Sequence, residues 1–471
     1  MKKNLFASYI NGIRDQEVGQ SYCTILSYFL PELITSLILY SFVNIIDSWF
    51  IAHLQNTVMY ATQGVTNTVI HFLIKVAEAL SIATVITCGH HNGVGDYKKV
   101  GKSAINAFWL TATVGFLIAL FLYTAAYWIY WLYGVEPQMI VLGVSFLRIK
   151  AVGIFFMFLY FSVIGFLRSI KDTKTPMVLF SIGSILFIAL DYALIYGKFG
   201  LPELQLRGSA IASVAQYALM LIGAIIYLAQ TTTLRPYAIS LRQLPDWPSI
   251  CQLINLSWPI ICDKGSLAGA KIWLGMMIAP LGIQAIASST IIEVMERLAF
   301  IPAIAFSQVI TLLVSNDYKK ANWVSIKNNI KKIIFLASLM VFSILCIFSI
   351  WPYTVIQLFD KRGIFATFAA SAFPYLTVFV FFDLLQLILS GGLRGIAEVR
   401  TVMWTRVAVC LVCFAPASYL IAHYGPHNVL AKFIMLYISF YVASGLMSII
   451  YIRKFRHFPH AIASELAPLG S

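Results

Sequence analysis

Gly165-Phe-Leu-Arg168-Ser-Ile-Lys171-Asp172-Thr-Lys174-Thr175-Pro176-Met177 is echoed later in the chain by Gly391-Gly-Leu-Arg394-Gly-Ile-Ala-Glu398-Val-Arg400-Thr401-Val-Met403, at a shift of 226. At that shift Gly165/Gly391, Leu167/Leu393, Arg168/Arg394, Ile170/Ile396, Thr175/Thr401 and Met177/Met403 coincide, and Asp172/Glu398 and Lys174/Arg400 keep their charge. An apolar run follows each copy. A further echo, Asp96-Tyr-Lys-Lys99 against Asp317-Tyr-Lys-Lys320, is shifted by 221. A chain of 471 residues that repeats near half its length reads as two homologous halves.

Composition names the solvent. Hydrophobic residues make up 60% of the chain and charged residues 11%, against about 25% charged in soluble domains. Mean hydropathy is +0.83. So much apolar surface cannot be hidden from water, so the surroundings must be lipid. The net charge of +14 would point to nucleic acid in a soluble protein, but the basic residues fall in short loops and form no stripe interleaved with aromatics. Nucleic-acid binding is therefore not expected. Seven cysteines lie scattered in or beside apolar runs and form no disulfide framework. The Cys410-x-x-Cys413 pair sits inside an apolar run with no second pair, so it reads as packing rather than metal binding.

Runs of spanning length fall near 24–52, 58–88, 103–133, 139–167, 175–196, 208–229, 250–279, 283–313, 333–355, 364–392, 402–421 and 429–452. That predicts an all-α polytopic membrane protein, twelve transmembrane helices in two pseudo-symmetric six-helix bundles. The expected domains are 1–229, a linker 230–249 marked by Pro236, Pro245 and Pro248, a second lobe 250–456, and a tail 457–471. The tail's last residues, Ala467-Pro-Leu-Gly-Ser471, resemble a cloning scar. One set of loops holds twenty-one basic residues, among them Lys2, Lys3, Arg14, Arg168, Arg242 and Arg394. The other set holds only Lys198, Arg207, Lys361 and Arg362. The asymmetry places both termini in the cytoplasm, and an even number of spans per half makes the repeats parallel.

Acids inside spans need a reason, because each costs at least about 2.5 kcal/mol to insert. Folding each hairpin at its loop gives relative depth. Glu32, Lys75 and Glu78 are expected to cluster near the cytoplasmic side. Asp263 is expected to meet Arg297, and Lys271 to meet Glu293 or Glu296. Asp47 and Asp191 each lie six residues before an external loop, with no basic residue within a turn. Two carboxylates at one depth in low dielectric cannot both ionise cheaply and would share a proton. His90 and His91 read as solvated loop residues.

Phe166-Leu-Arg-Ser-Ile-Lys-Asp-Thr-Lys-Thr-Pro-Met177, Leu190-Asp191-Tyr-Ala-Leu-Ile195 and Gly208-Ser-Ala-Ile-Ala-Ser213, in that order and spacing, resemble the multidrug and toxic compound extrusion (MATE) transporters. Pro31, Asp47-Ser-Trp-Phe-Ile-Ala-His-Leu54, Gly89-His-His-Asn-Gly-Val-Gly-Asp96 and Asp383-Leu-Leu-Gln386 resemble them too. The resemblance assigns a coupling-ion role to Asp47 and Asp191, and an embedded second-half acid to Asp383. In relatives with a sodium site, positions matching Asp47, Phe187, Asp191 and Ser213 contribute. Phe187 stands where an asparagine is usual and offers no oxygen, while Asn44, a turn from Asp47, could supply a substitute. A hard cation needs its hydration shell replaced by oxygens, whereas a proton needs only a carboxylate. H⁺ is therefore favoured over Na⁺, with no other cofactor and no metal site.

The expected function is a secondary active antiporter, monomeric and in contact with membrane lipid. It would export small organic molecules by alternating access to a central cavity. The cluster Asp263, Lys271, Glu293, Glu296 and Arg297 would give the second lobe a charge-paired lining and favour substrates with an anionic group. A lipid-linked saccharide flippase of the same superfamily and coupled uptake of a small metabolite are the alternatives. An enzyme is not expected, since no His-Glu-x-x-His or Gly-x-Ser-x-Gly motif is present.

Overall fold

A computed structural model describes Ile13 and residues 19–240, 243, 245–357 and 366–466. Lys2, Lys3, Arg14, Arg242, Lys361, Arg362 and the segment Ala467–Ser471 lie outside the described residues.

In lipid the backbone must satisfy its own polar groups, and the chain does so with helices; no strand occurs among the described residues. Twelve long helices form: α1 Tyr22–Ala52, α2 Thr57–Gly93, α3 Tyr97–Leu132, α4 Pro137–Ser169, α5 Lys174–Tyr196 and α6 Leu206–Gln230. Then come α7 Trp247–Ile278, α8 Ile283–Tyr318, α9 Trp323–Ile350, α10 Ala366–Gly395, α11 Val399–Tyr424 and α12 Val429–Leu466. Eleven are both long and apolar enough to cross a membrane. The exception is α7, which is long enough at 32 residues but is diluted by Asp263, Lys264 and Lys271. Between α6 and α7 the expected linker contains a 3-10 turn, Thr232–Tyr237.

The described residues pack into two compact units, Leu30–Ser257 and the residues on either side of it. Within each unit the repeated stretch does the same work. Lys171 and Ala397, equivalent under the repeat, end α4 and α10 in the left-handed region at φ 68° and 66°. Asp172 N and Glu398 N then donate back to Leu167 O and Leu393 O, each at 3.0 Å. The acid side chain caps the next helix through a threonine: Thr175 Oγ1 to Asp172 Oδ2 at 2.7 Å, Thr401 Oγ1 to Glu398 Oε2 at 2.6 Å. The glycines allow close approach. A Cβ on Gly165 would sit 2.8 Å from Ser81 O of α2, and one on Gly391 would sit 2.8 Å from Ser307 O of α8.

The second echo is corrected. Asp96 caps α3 by accepting from Lys99 N at 3.3 Å, whereas Asp317 is buried near the end of α8 and accepts from Ser325 Oγ at 3.2 Å. The residue that caps α9 is Asn322, which accepts from Ser325 N at 3.2 Å and matches Asp96 at the same shift as the main repeat. The shift of 221 arose from like residues that do different jobs. His90 is corrected too. It is buried, because α2 runs on to Gly93 beyond the end of the apolar run.

Candidate functional site

The first unit holds a cavity of about 70 Å³. That is room for a few waters and too little for a drug-sized ligand, which takes about 300 Å³ or more. Asn44 and Asp47 of α1, Lys150 of α4, Phe187 of α5, and Ser213 and Gln216 of α6 are among its lining residues. A π-helical turn, Ile38–Phe42, interrupts α1 one turn before Asp47, and such turns recur at functional sites. The Asn44 amide reaches back to Leu39 O at 3.4 Å.

Tyr196 sets the register of α5 against α1: its hydroxyl donates to Phe50 O at 2.7 Å, and its ring meets the Phe50 ring edge-on. Phe50 is three residues beyond Asp47 and Tyr196 five beyond Asp191, so the two acids come to neighbouring positions. Both are buried. Ser209 Oγ donates to Asp47 Oδ1 at 2.7 Å, and Lys150 Nζ lies 3.9 Å from Asp47 Oδ2. Asp191 is 0% exposed, and neither of its carboxyl oxygens accepts a hydrogen bond from the described residues. Asp47 and Lys150 are the charged groups beside it, and Ser209 is the neighbouring hydroxyl. A buried carboxylate anion without donors is costly, and Lys150 is the cation placed to offset the charge of the pair.

Ser213 lines the cavity, but its hydroxyl donates to Ser209 O and Ala210 O, both at 3.0 Å. Ser209, one helical turn earlier on α6, is the hydroxyl on Asp47. Lys150 of α4 meets Asp47 of α1 outside any hairpin, and hairpin folding compares only consecutive helices.

In the second unit a polar chain crosses four helices. Asp263 of α7 pairs with Arg394 of α10 at 2.5 Å and with Arg406 of α11. Arg406 Nη2 donates to Gln386 Oε1 at 2.9 Å, and Gln386 Nε2 to Asp383 Oδ1 at 3.2 Å. Ser444 Oγ of α12 donates to Asp383 Oδ1 at 3.0 Å. The expected Asp263–Arg297 pair does not form. Equal depth does not mean equal face: Arg297 is half exposed and turns to Glu293 at 3.5 Å, one turn along its own helix. Lys271 does lie 3.6 Å from Glu293, as the hairpin register predicts. Glu296 is hydrogen-bonded by the Tyr441 hydroxyl instead.

In the first unit Glu32 leaves the expected cluster for Arg168, bidentate at 2.7 and 2.6 Å, while Lys75 and Glu78 pair at 3.5 Å. Glu32–Arg168 and Asp263–Arg394 are counterparts. In each unit the repeated arginine at the end of the fourth helix binds an acid of the first.

A family model described as MatE matches residues 33–193 and again 259–420, so the two matches start at the same shift as the repeat. The chain belongs to the MatE family. It is an integral membrane protein of a transporter family and not an enzyme. Among its relatives, a probable multidrug resistance protein NorM of Thermotoga maritima is 24% identical over 400 residues, 84% of each chain. The fold matches a crystal structure of MATE in the bent conformation with a TM-score of 0.86 at 18% identity, over 98% of this chain and 99% of the other. It also matches a MOP superfamily transporter of Pyrococcus furiosus with a TM-score of 0.83 at 18% identity, over 93% and 96%. For that transporter, the reverse polarity of its binding pocket suggests a different function.

Proposed function

We propose that this MatE-family transporter exports small organic molecules by alternating access, driven by inward flow of protons carried at Asp47 and Asp191. The supporting observation is the Lys150 ammonium 3.9 Å from Asp47, beside an Asp191 carboxyl that receives no hydrogen bond from the described residues. Lys150 already brings a positive charge to the acid pair, so an added sodium ion would meet both its repulsion and a shell short of oxygens. Phe187 lines the same cavity with an apolar ring. A proton needs neither room nor a ligand shell.

The half-exposed group Lys271, Glu293 and Arg297 carries two cations to one anion. That balance supports a substrate bearing an anionic group. The loop charges support cytoplasmic termini. The test of the proton site is concentrative uptake into inverted membrane vesicles. Asp47→Asn should abolish it while leaving the protein folded. Normal uptake by that variant would remove Asp47 from the mechanism.

A further inference from the structure

The face of α4 opposite Lys150 carries an exposed arginine that the transport reading does not use. Two residues before Lys150, Arg148 is turned about 200° around the helix and points away from the acid pair. It borders a groove of about 470 Å³ in the first unit, formed by α3, α4 and α6. Arg207, in the first turn of α6, borders the same groove. Both arginines are exposed, and neither is paired with a carboxylate among the described residues. Each has one neutral contact: Arg148 Nε donates to Tyr123 O at 3.2 Å, and Arg207 Nε to Ser145 Oγ at 3.3 Å. The Arg148 guanidinium also lies 5.2 Å from the centre of the Tyr123 ring.

The depth of the groove follows from helix lengths. At 23 and 25 residues, α5 and α6 are about 35–38 Å long, little more than the hydrocarbon core of about 30 Å. Their ends therefore lie near the membrane interface, and Arg207 starts α6 at the end away from the basic Arg168 loop. Its bond to Ser145 puts Ser145 at the same level, and Arg148 lies three residues, about 4.5 Å, deeper. The two cations thus sit where phosphates of that leaflet lie. Below them the walls turn apolar, with Ile149 and Val152 on one side and Ile211 and Val214 on the other. Val152 and Ile211 are exposed, 46% and 38%, at the depth of the hydrocarbon core.

Two unpaired guanidiniums above an open apolar trough match an anionic phospholipid, with phosphate on the arginines and an acyl chain in the groove. We propose that Arg148 and Arg207 form a binding site for an anionic phospholipid in the leaflet opposite the basic loops. A soluble anion would use the arginines but have no need of the apolar walls. A neutral lipid would use the walls but leave both arginines without a counter-charge.

The test is native mass spectrometry of the full-length protein with phosphatidylglycerol and phosphatidylcholine at equal concentration. Phosphatidylglycerol should be retained preferentially. The double substitution Arg148→Gln/Arg207→Gln should lower that preference about 30-fold, the loss of two cation contacts with an anionic lipid. Arg148→Lys/Arg207→Lys should keep most of it. Ile211→Trp leaves the charges and fills the groove, and it should reduce retention of both lipids. This variant decides the matter if the glutamine protein fails to fold. An unchanged preference in the glutamine protein, unchanged retention in Ile211→Trp, or displacement of the lipid by inorganic phosphate alone would each overturn the proposal.

Discussion

Replacing Asp191 by asparagine keeps the volume of a fully buried side chain and removes only its capacity to carry and release a proton. Coupled transport should fall to background with the protein still folded, and Asp47→Asn should do the same. The double variant should be little worse than either single one, because groups that act as a unit are not additive. Transport assays on the three proteins check this; fully additive losses would mean the two acids work separately. These acids were legible because each stands in an apolar run with no basic neighbour along the chain. Ser209 and Lys150 were less so. One is the first of two serines a turn apart on α6, and the other meets Asp47 across a long stretch of sequence, where neither depth counting nor helical periodicity reaches.

The helices are held together by devices that the repeat made visible. Gly165 has no room for a methyl group, with Ser81 O 2.8 Å and Thr84 Cβ 2.9 Å from where it would sit. Gly165→Ala should cost about 1–3 kcal/mol by forcing α4 off α2. It should show as a lower melting temperature in detergent, with Gly391→Ala behaving alike in the other unit. Arg168→Ala leaves Glu32, 2% exposed, without its partner and should cost about 3–5 kcal/mol. Adding Glu32→Gln should recover part of that loss, and no recovery would show that the arginine acts by packing alone.

At the start of α7, the Ser249 hydroxyl and then Lys102 hold the Asp246 carboxyl below the usual aspartate range. The folded group binds its proton less readily than the unfolded one. Its contribution is therefore complete above the ordinary aspartate pKa and lost as pH falls through the lowered value. Protection of the first-turn amides of α7, taken against their intrinsic exchange rates, should fall only in that acid range. Asp246→Ala should lower it at every pH. The repeated turns were readable because spacing, charge and glycine recur together. The ion pairs they anchor were not, since Arg168 and Glu32 lie on the fourth and first helices of their unit and share no hairpin.

For the whole transporter, the twelve helices followed from hydropathy, which acts on every residue and needs no knowledge of packing. The driving ion does not follow that way. It depends on which side chains ring one small cavity, and Phe187, Lys150 and the acid pair argue for H⁺. The direct measurement is substrate transport by the purified protein in proteoliposomes, under a pH gradient without Na⁺ and under a Na⁺ gradient at equal pH. Proton coupling predicts accumulation driven by the pH gradient, with no more than background under Na⁺. Accumulation driven by Na⁺ alone, with no response to the pH gradient, would contradict it.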